Sequence, residues 1–243
     1  MPPIKTTSGS LRTWLKTNDH WAARLVRFVH YGLRHASMPV IPGVHIALYH
    51  LHTRSMGFLI STVSKLYWTP LFRARIAGTG AGLLLVGTGI PLVTGPVTIR
   101  CGHNCRLSTH LTISGRTSST PSPHLEIGNN VGIGWQTTIA VGKKVIIGDN
   151  VRIAGSSFIA GYAGHPLDAK ARALGQPDLD DQVADVIIES DVWLGTGVKV
   201  MSGVCIGQGT VVVAGSIVTK SLPAGVLAAG VPAKVLRNIE EVS

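Results

Sequence analysis

The sequence predicts a mainly β chain in which short parallel strands stack as the turns of a coil, preceded by an N-terminal helical segment. Three observations predict it. Across residues 186–223 an aliphatic residue recurs every six positions, at Ile188, Leu194, Val200, Ile206, Val212 and Val218. The chain carries 29 glycines and only 5% aromatic residues, which suits strands and tight turns better than helices. Its charge is segregated: residues 1–80 hold ten Lys or Arg and a single acid, Asp19, whereas the remainder is close to neutral. A period of six is neither the 3.6 of a helix nor the 2 of a plain strand. It fits short strands joined by tight turns, each aiming one side chain at a central axis. Three hexads close a coil, which would stack Ile188, Ile206 and Ala224 on rungs about 4.8 Å apart. Such repeats bury a core only by stacking on one another.

Taken in order, residues 1–10 read as a loose tail. Helix is expected from Leu11 to Leu33, where Leu11, Trp14, Leu15, Trp21, Leu25, Phe28 and Val29 share a broad face and Arg12, Lys16, Arg24, Arg27 and Arg34 lie elsewhere. Pro39 and Pro42 interrupt it, and one or two further helices over 44–75 are expected to end near Pro70. The domains are therefore 1–75, a basic helical segment, and 76–240, the repeat domain. Residues 76–99 are uncharged and long enough to span a bilayer. Six glycines and two prolines in that stretch favour an irregular first coil instead. Hexads follow at Cys101, Leu107 and Ile113, at Ile127, Ile133 and Ile139, and at Ile147, Ile153 and Ile159. A polar loop, 115–123, and a long projecting loop, 161–185, break the pattern, and long loops on a regular scaffold often carry function. The C-terminal stretch is expected to turn away at Pro232 and end in a short helix.

The three cysteines do not suggest a disulfide framework. Cys101, His103, Cys105 and His110 could suggest a metal. However, GHNCRLS (102–108) aligns with GDNVRIA (148–154), which puts both cysteines on core positions. No metal is expected. Arg12, Lys16 and Asp19 interrupt anything like a secretory signal, so a reduced, cytoplasmic protein is expected. The basic, aromatic N-terminal third is read either as a helical cap or as an anchor on the anionic inner membrane face through residues 1–75. No nucleic-acid partner is expected.

IGNNVGI (127–133), IGDNVRIAG (147–155), GHPLD (164–168), DVWLGTGV (191–198), GVCIGQGTVVVAGSIVTKSLP (203–223) and AAGVPAKVLR (228–237) together resemble the hexapeptide-repeat acyltransferases. The similarity is to the branch with galactoside and maltose O-acetyltransferases and covers about residues 97–240. The resemblance implies a left-handed parallel β-helix, a homotrimer, and acetyl-CoA in the cleft between subunits. Its hand comes from the resemblance alone, because most parallel crossovers are right-handed.

Acetyl transfer to a hydroxyl needs a base that works near neutral pH, for which histidine is suited. His165 is the sole histidine after His124, and it sits between Gly164 and Pro166 in the projecting loop. The resemblance makes it the catalytic base, where an isolated histidine would be read as a loop residue bonded to backbone. The resemblance also places Trp193, Thr196, Ala214, Thr219 and Lys220 along the coenzyme A cleft, with Lys234 and Arg237 at its phosphates. A core role for Trp193 and plain solvated lysines at 220 and 234 are the alternatives. Where galactoside enzymes carry a sugar-holding Asn, this chain has GWQTTIA (134–140), so Trp135 and Thr137 are the acceptor candidates. Asp168 contacts substrate or, the favoured reading, bonds its own loop. The implied activity is O-acetylation of a saccharide, as in surface-polysaccharide synthesis. N-acylation of an amino sugar and an inactive scaffold are the alternatives. Zinc hydration on this fold needs three histidines on the coils, which His165 alone does not provide.

Overall fold

The structure, a computed structural model, describes residues 8–78 and 80–239. The described residues form two compact units, one ending at Arg54 and the other beginning at Ser55.

In the second unit the hexad residues stack as the period requires. Cys101 pairs with Ile127, Ile127 with Ile147, Ile147 with Ile188 and Ile188 with Ile206, all in parallel register. The same holds for Leu107, Ile133, Ile153, Leu194 and Val212, and for Ile113, Ile139, Ile159, Val200 and Val218. The result is a left-handed parallel β-helix with sheets of five, eight and six strands as its three sides. The stacked aliphatic side chains are buried and form one continuous core. Cys101 and Cys105 are part of it, as their alignment with Ile147 and Val151 requires. In the last coil Leu222, not the expected Ala224, lies on Ile206, because the chain shortens its turn before strand Val226–Gly230.

At the corner from the five-stranded to the eight-stranded sheet, each coil needs one residue at positive φ. Asn104, Asn130, Asn150 and Asp191 fill it at φ 57, 53, 59 and 63°, consistent with the tolerance of Asn and Asp for that region. The side chains of the last three join into a ladder: Asn130 Nδ2 donates to Asn150 Oδ1 and Asn150 Nδ2 to Asp191 Oδ1, each at 2.9 Å, and Gln208 Nε2 donates to Asp191 Oδ2 at 3.0 Å. The hydrogen bonds from Asn150 and Gln208 hold the Asp191 carboxyl below the usual range. A lowered carboxyl stabilises the fold above its ordinary pKa, and the contribution is lost as pH falls through the lowered value.

The expected C-terminal helix is corrected: Ala233–Asn238 is a strand, antiparallel to Val226–Gly230. The last parallel strand leaves an open edge of N–H and C=O groups, and the returning chain satisfies them. Residues 240–243 lie outside the described residues.

The helix expected over 11–33 is two helices, α1 (Ser8–Thr17) and α2 (Trp21–His35). Asn18, Asp19 and His20 break it, with the His20 ring accepting the Ala22 N–H as an N-cap. The tail expected over 1–10 thus ends before Ser8, and its first seven residues lie outside the described ones. Helix α3 (Pro42–Val63) leads through a π-helical segment, Ser64–Trp68, into α4 (Thr69–Arg75). The chain stays helical past Pro70 instead of ending there. Proline lacks an N–H and crowds the carbonyl four residues back, and a widened turn relieves both. Residues 64–76 close the open end of the coils. Phe72 is buried in their core, Ser64 Oγ donates to the Leu85 carbonyl at 2.7 Å, and Arg75 Nη2 to that of Val97 at 3.0 Å. Among the described residues no helix is long and apolar enough to cross a membrane.

Candidate active site

Two corners of the β-helix border the six-stranded sheet, and the candidate residues gather at them. At the corner entering this sheet, successive turns stack by backbone hydrogen bonds. Ser156 N–H donates to the Trp135 carbonyl at 2.8 Å, Gly197 to Gly155 at 3.0 Å and Gly215 to Thr196 at 2.8 Å. Trp135, Gly155, Thr196 and Ala214 therefore form one column. A Cβ at Gly155 would come within 2.6 Å of Trp135 Cδ1, so only glycine lets the indole lie over that turn. Trp193 sits on the neighbouring strand beside Arg152. Both tryptophans are over half exposed, at 58% for Trp135 and 55% for Trp193, so Trp193 is not the core residue that was its alternative. They line one groove of about 600 Å³ with Arg106, His110 and Arg152.

Thr137 departs from expectation. It is fully buried, its hydroxyl 3.4 Å from the Ala154 carbonyl, and it cannot touch an acceptor. It follows the positive-φ residue Gln136 and so turns into the core, as Ser157, Val198 and Ser216 do one, two and three coils on. Trp135 and Gln136 stay at the surface.

At the corner leaving the six-stranded sheet lie Thr219 and Lys220, both exposed, and from this corner the projecting loop departs. Ser202 clamps its base: Oγ donates to the Gly161 carbonyl at 3.2 Å and accepts the Ala184 N–H at 2.8 Å. His165 is exposed and held on both sides. Before it, the Gly164 N–H donates to Asp178 Oδ2 at 3.2 Å. After it, Arg172 Nη1 donates to the carbonyls of Pro166 and Leu167, each at 2.9 Å. Asp168 caps the short helix Ala169–Ala173 by accepting the Ala171 N–H at 2.8 Å, which is the loop-bonding reading. The imidazole is thus presented on a backbone whose neighbours are fixed.

Lys234 and Arg237 lie exposed on the C-terminal strand, opposite Ala229 and Leu227. Lys199 was not anticipated. It is exposed on the six-stranded sheet between Phe158 and Ile217, on the face that the two corners border. Its signal was faint: a charged residue at an outward position of a hexad. Among the described residues no cluster of three or more His, Cys, Asp or Glu is arranged to hold a metal.

No protein-family model matches the chain. Galactoside O-acetyltransferase of Escherichia coli is 38% identical over 118 residues, which are 49% of this chain and 56% of that protein. The enzyme of the same name from Lactococcus lactis is 41% identical over 105 residues, 43% of this chain and 45% of that one. The chain thus spans about half the length of the curated relatives it matches. Among solved structures, the N-acyltransferase AntD of Bacillus cereus, in complex with dTDP-4-amino-4,6-dideoxyglucose and coenzyme A, superposes with a TM-score of 0.57 at 20% identity, covering 71% of this chain and 89% of that one. The resemblance read from the motifs is therefore present: the chain is similar in sequence to galactoside O-acetyltransferases and in fold to the N-acyltransferase AntD.

Proposed function

We propose that the protein transfers an acetyl group from acetyl-CoA to a saccharide hydroxyl. The observation that carries this reading is His165, exposed and backbone-anchored, on a loop that leaves the corner occupied by Thr219 and Lys220. The imidazole takes the acceptor hydroxyl's proton as that oxygen attacks the thioester carbonyl carbon. The new C–O bond forms, the C–S bond breaks, and the departing thiolate takes the proton back from the imidazolium. Backbone N–H groups stabilise the intermediate oxyanion. Thr196, Ala214, Thr219 and Lys220 line the coenzyme. Lys234 and Arg237 attract its phosphates, Arg237 with a fork suited to them and Lys234 as a point charge. Trp135 and Trp193 offer flat apolar surface to the acceptor or the pantetheine arm.

Trp135, Trp193, Phe158 and Leu92 are large apolar side chains left exposed on the coils, which favours a trimer that covers them and completes the site between chains. An acetylation screen over neutral sugars, amino sugars and nucleotide sugars tests the activity, with sedimentation equilibrium on the same sample. Acetyl ester on a sugar hydroxyl and a trimeric mass are expected. Product formed only as an amide would move the reading to N-acylation, and an active monomer would remove the shared site.

The N-terminal unit supports peripheral attachment to an anionic membrane. Helix α2 turns Ala23 inward, and Arg27 donates to the carbonyls of Leu15 and Asn18 at 2.7 and 2.8 Å, so this side faces α1. Trp21, Leu25, Phe28 and Leu33 remain exposed away from that side, with Arg24 flanking them. Aromatic and basic residues along one helix are what an interfacial segment uses. Each basic residue near an anionic surface contributes about 1 kcal/mol and is screened by salt. In liposome flotation the protein is expected to rise with anionic but not neutral vesicles, less so as salt increases. The Trp21→Asp, Phe28→Asp double variant should stay at the bottom. A wild-type protein that ignores anionic vesicles at low salt would sink the idea.

A further inference from the structure

The loops 115–123 and 161–185 leave the β-helix at one corner, and a single arginine joins them. The side chain of Arg116 is 4% exposed and that of Asp178 is 3% exposed. Arg116 Nε donates to Asp178 Oδ1 at 2.7 Å, Nη2 to the Asp178 backbone carbonyl at 2.6 Å, and Nη1 to Asp180 Oδ1 at 2.6 Å. The remaining carboxylate oxygen, Asp178 Oδ2, accepts the N–H of Gly164 at 3.2 Å. Gly164 has φ +83° and immediately precedes His165. The arginine is itself tied to the coils. Its backbone N–H donates to the Val141 carbonyl at 3.0 Å, and Ser119, whose Oγ lies 3.4 Å from Nη1, donates to the Gly142 carbonyl at 2.7 Å. An unbroken chain of hydrogen bonds therefore runs from the coil through Arg116 and Asp178 to the backbone that carries His165.

Burying an ion pair costs desolvation that the attraction often only balances, so such a pair is a weak source of stability. What it provides is geometry. The guanidinium fork meets Oδ1 and the carbonyl of Asp178 in fixed directions, which leaves Oδ2 aimed at one N–H. We propose that Arg116 and Asp178 are positioning residues that hold Gly164 and so set the direction of His165. The inference rests on His165 being the base. It adds that the base is aimed by a pair lying 62 residues apart in sequence. Neither residue touches the reacting atoms. Misplacing a catalytic group by about 1 Å can cost about 10²-fold in rate, so a small loosening here is enough to matter.

The test combines hydrogen exchange across 161–185 with initial-rate kinetics on Arg116→Ala, Arg116→Lys and Asp178→Asn in the full-length protein. Arg116→Ala is expected to lose amide protection at 162–168 while the coil strands keep theirs. Its kcat should fall about 10²-fold, with KM for acetyl-CoA within about twofold. Asp178→Asn, which keeps the volume but has one acceptor oxygen for two donors, should follow it. Arg116→Lys should recover part of kcat, since a point charge replaces one arm of the fork. Unchanged exchange in Arg116→Ala and Asp178→Asn would overturn the proposal. So would an opened loop with wild-type kcat, or protection lost evenly through the coils in both variants, which would make the pair a general structural support. If the wild type acetylated no acceptor, the proposed function would fail while exchange still reported whether the pair holds Gly164.

Discussion

His165→Ala is expected to lower kcat by about 10²- to 10⁴-fold, the usual scale for a lost general acid–base group. Acetyl-CoA binding should be nearly unchanged. The residues proposed to line the coenzyme are Thr196, Ala214, Thr219 and Lys220, which lie on the coils and not on the loop that holds His165. The substitution leaves the loop's anchors in place, because Gly164 and Pro166 are held through their backbone. Coenzyme A release would give kcat, and calorimetric titration with acetyl-CoA would give the affinity. Activity within about threefold of wild type would remove His165 from the mechanism, since a positioned base contributes far more than that.

Ile188→Ala should be the most damaging conservative change in the coil domain, at about 2–5 kcal/mol. Ile188 is fully buried and stacked between Ile147 and Ile206. The cavity cannot close by collapse. The rungs above and below are held by the backbone, with the Gly148 N–H on the Ile188 carbonyl at 2.7 Å and the Glu189 N–H on the Ile206 carbonyl at 3.0 Å. The position also follows directly after the projecting loop, so loosening it loosens the loop's return. The shift in urea midpoint at constant m-value reads the effect. A loss below about 1 kcal/mol would mean that the coils repack more freely than close-packed interiors do.

The core was legible because its rule is local. One inward side chain per strand must be aliphatic, and a period of six then appears directly in Ile188, Leu194, Val200 and Ile206. His165 stands out as a candidate for a similar reason: its motif is short, contiguous and set in the one long break of the repeat. The break of the N-terminal helix at Asn18–His20 could have been read from those polar, cap-forming residues, but the continuous amphipathic pattern across them concealed it. Thr137 misled because one residue of turn phase decides whether a side chain lies in the groove or in the core.

By itself, then, the sequence determined the stacked-strand architecture and its core, because each depends on neighbours or on a fixed period. Only the tertiary structure decided what depends on distant pairing. It made Ala233–Asn238 a strand, because an open sheet edge was there to be covered. It set Trp135, Thr196 and Ala214 in one column through backbone bonds between successive coils. It also buried Arg116 against Asp178, two charged residues from separate loops that meet only at the corner. A charge has no periodic signature, and its partner is chosen by folding.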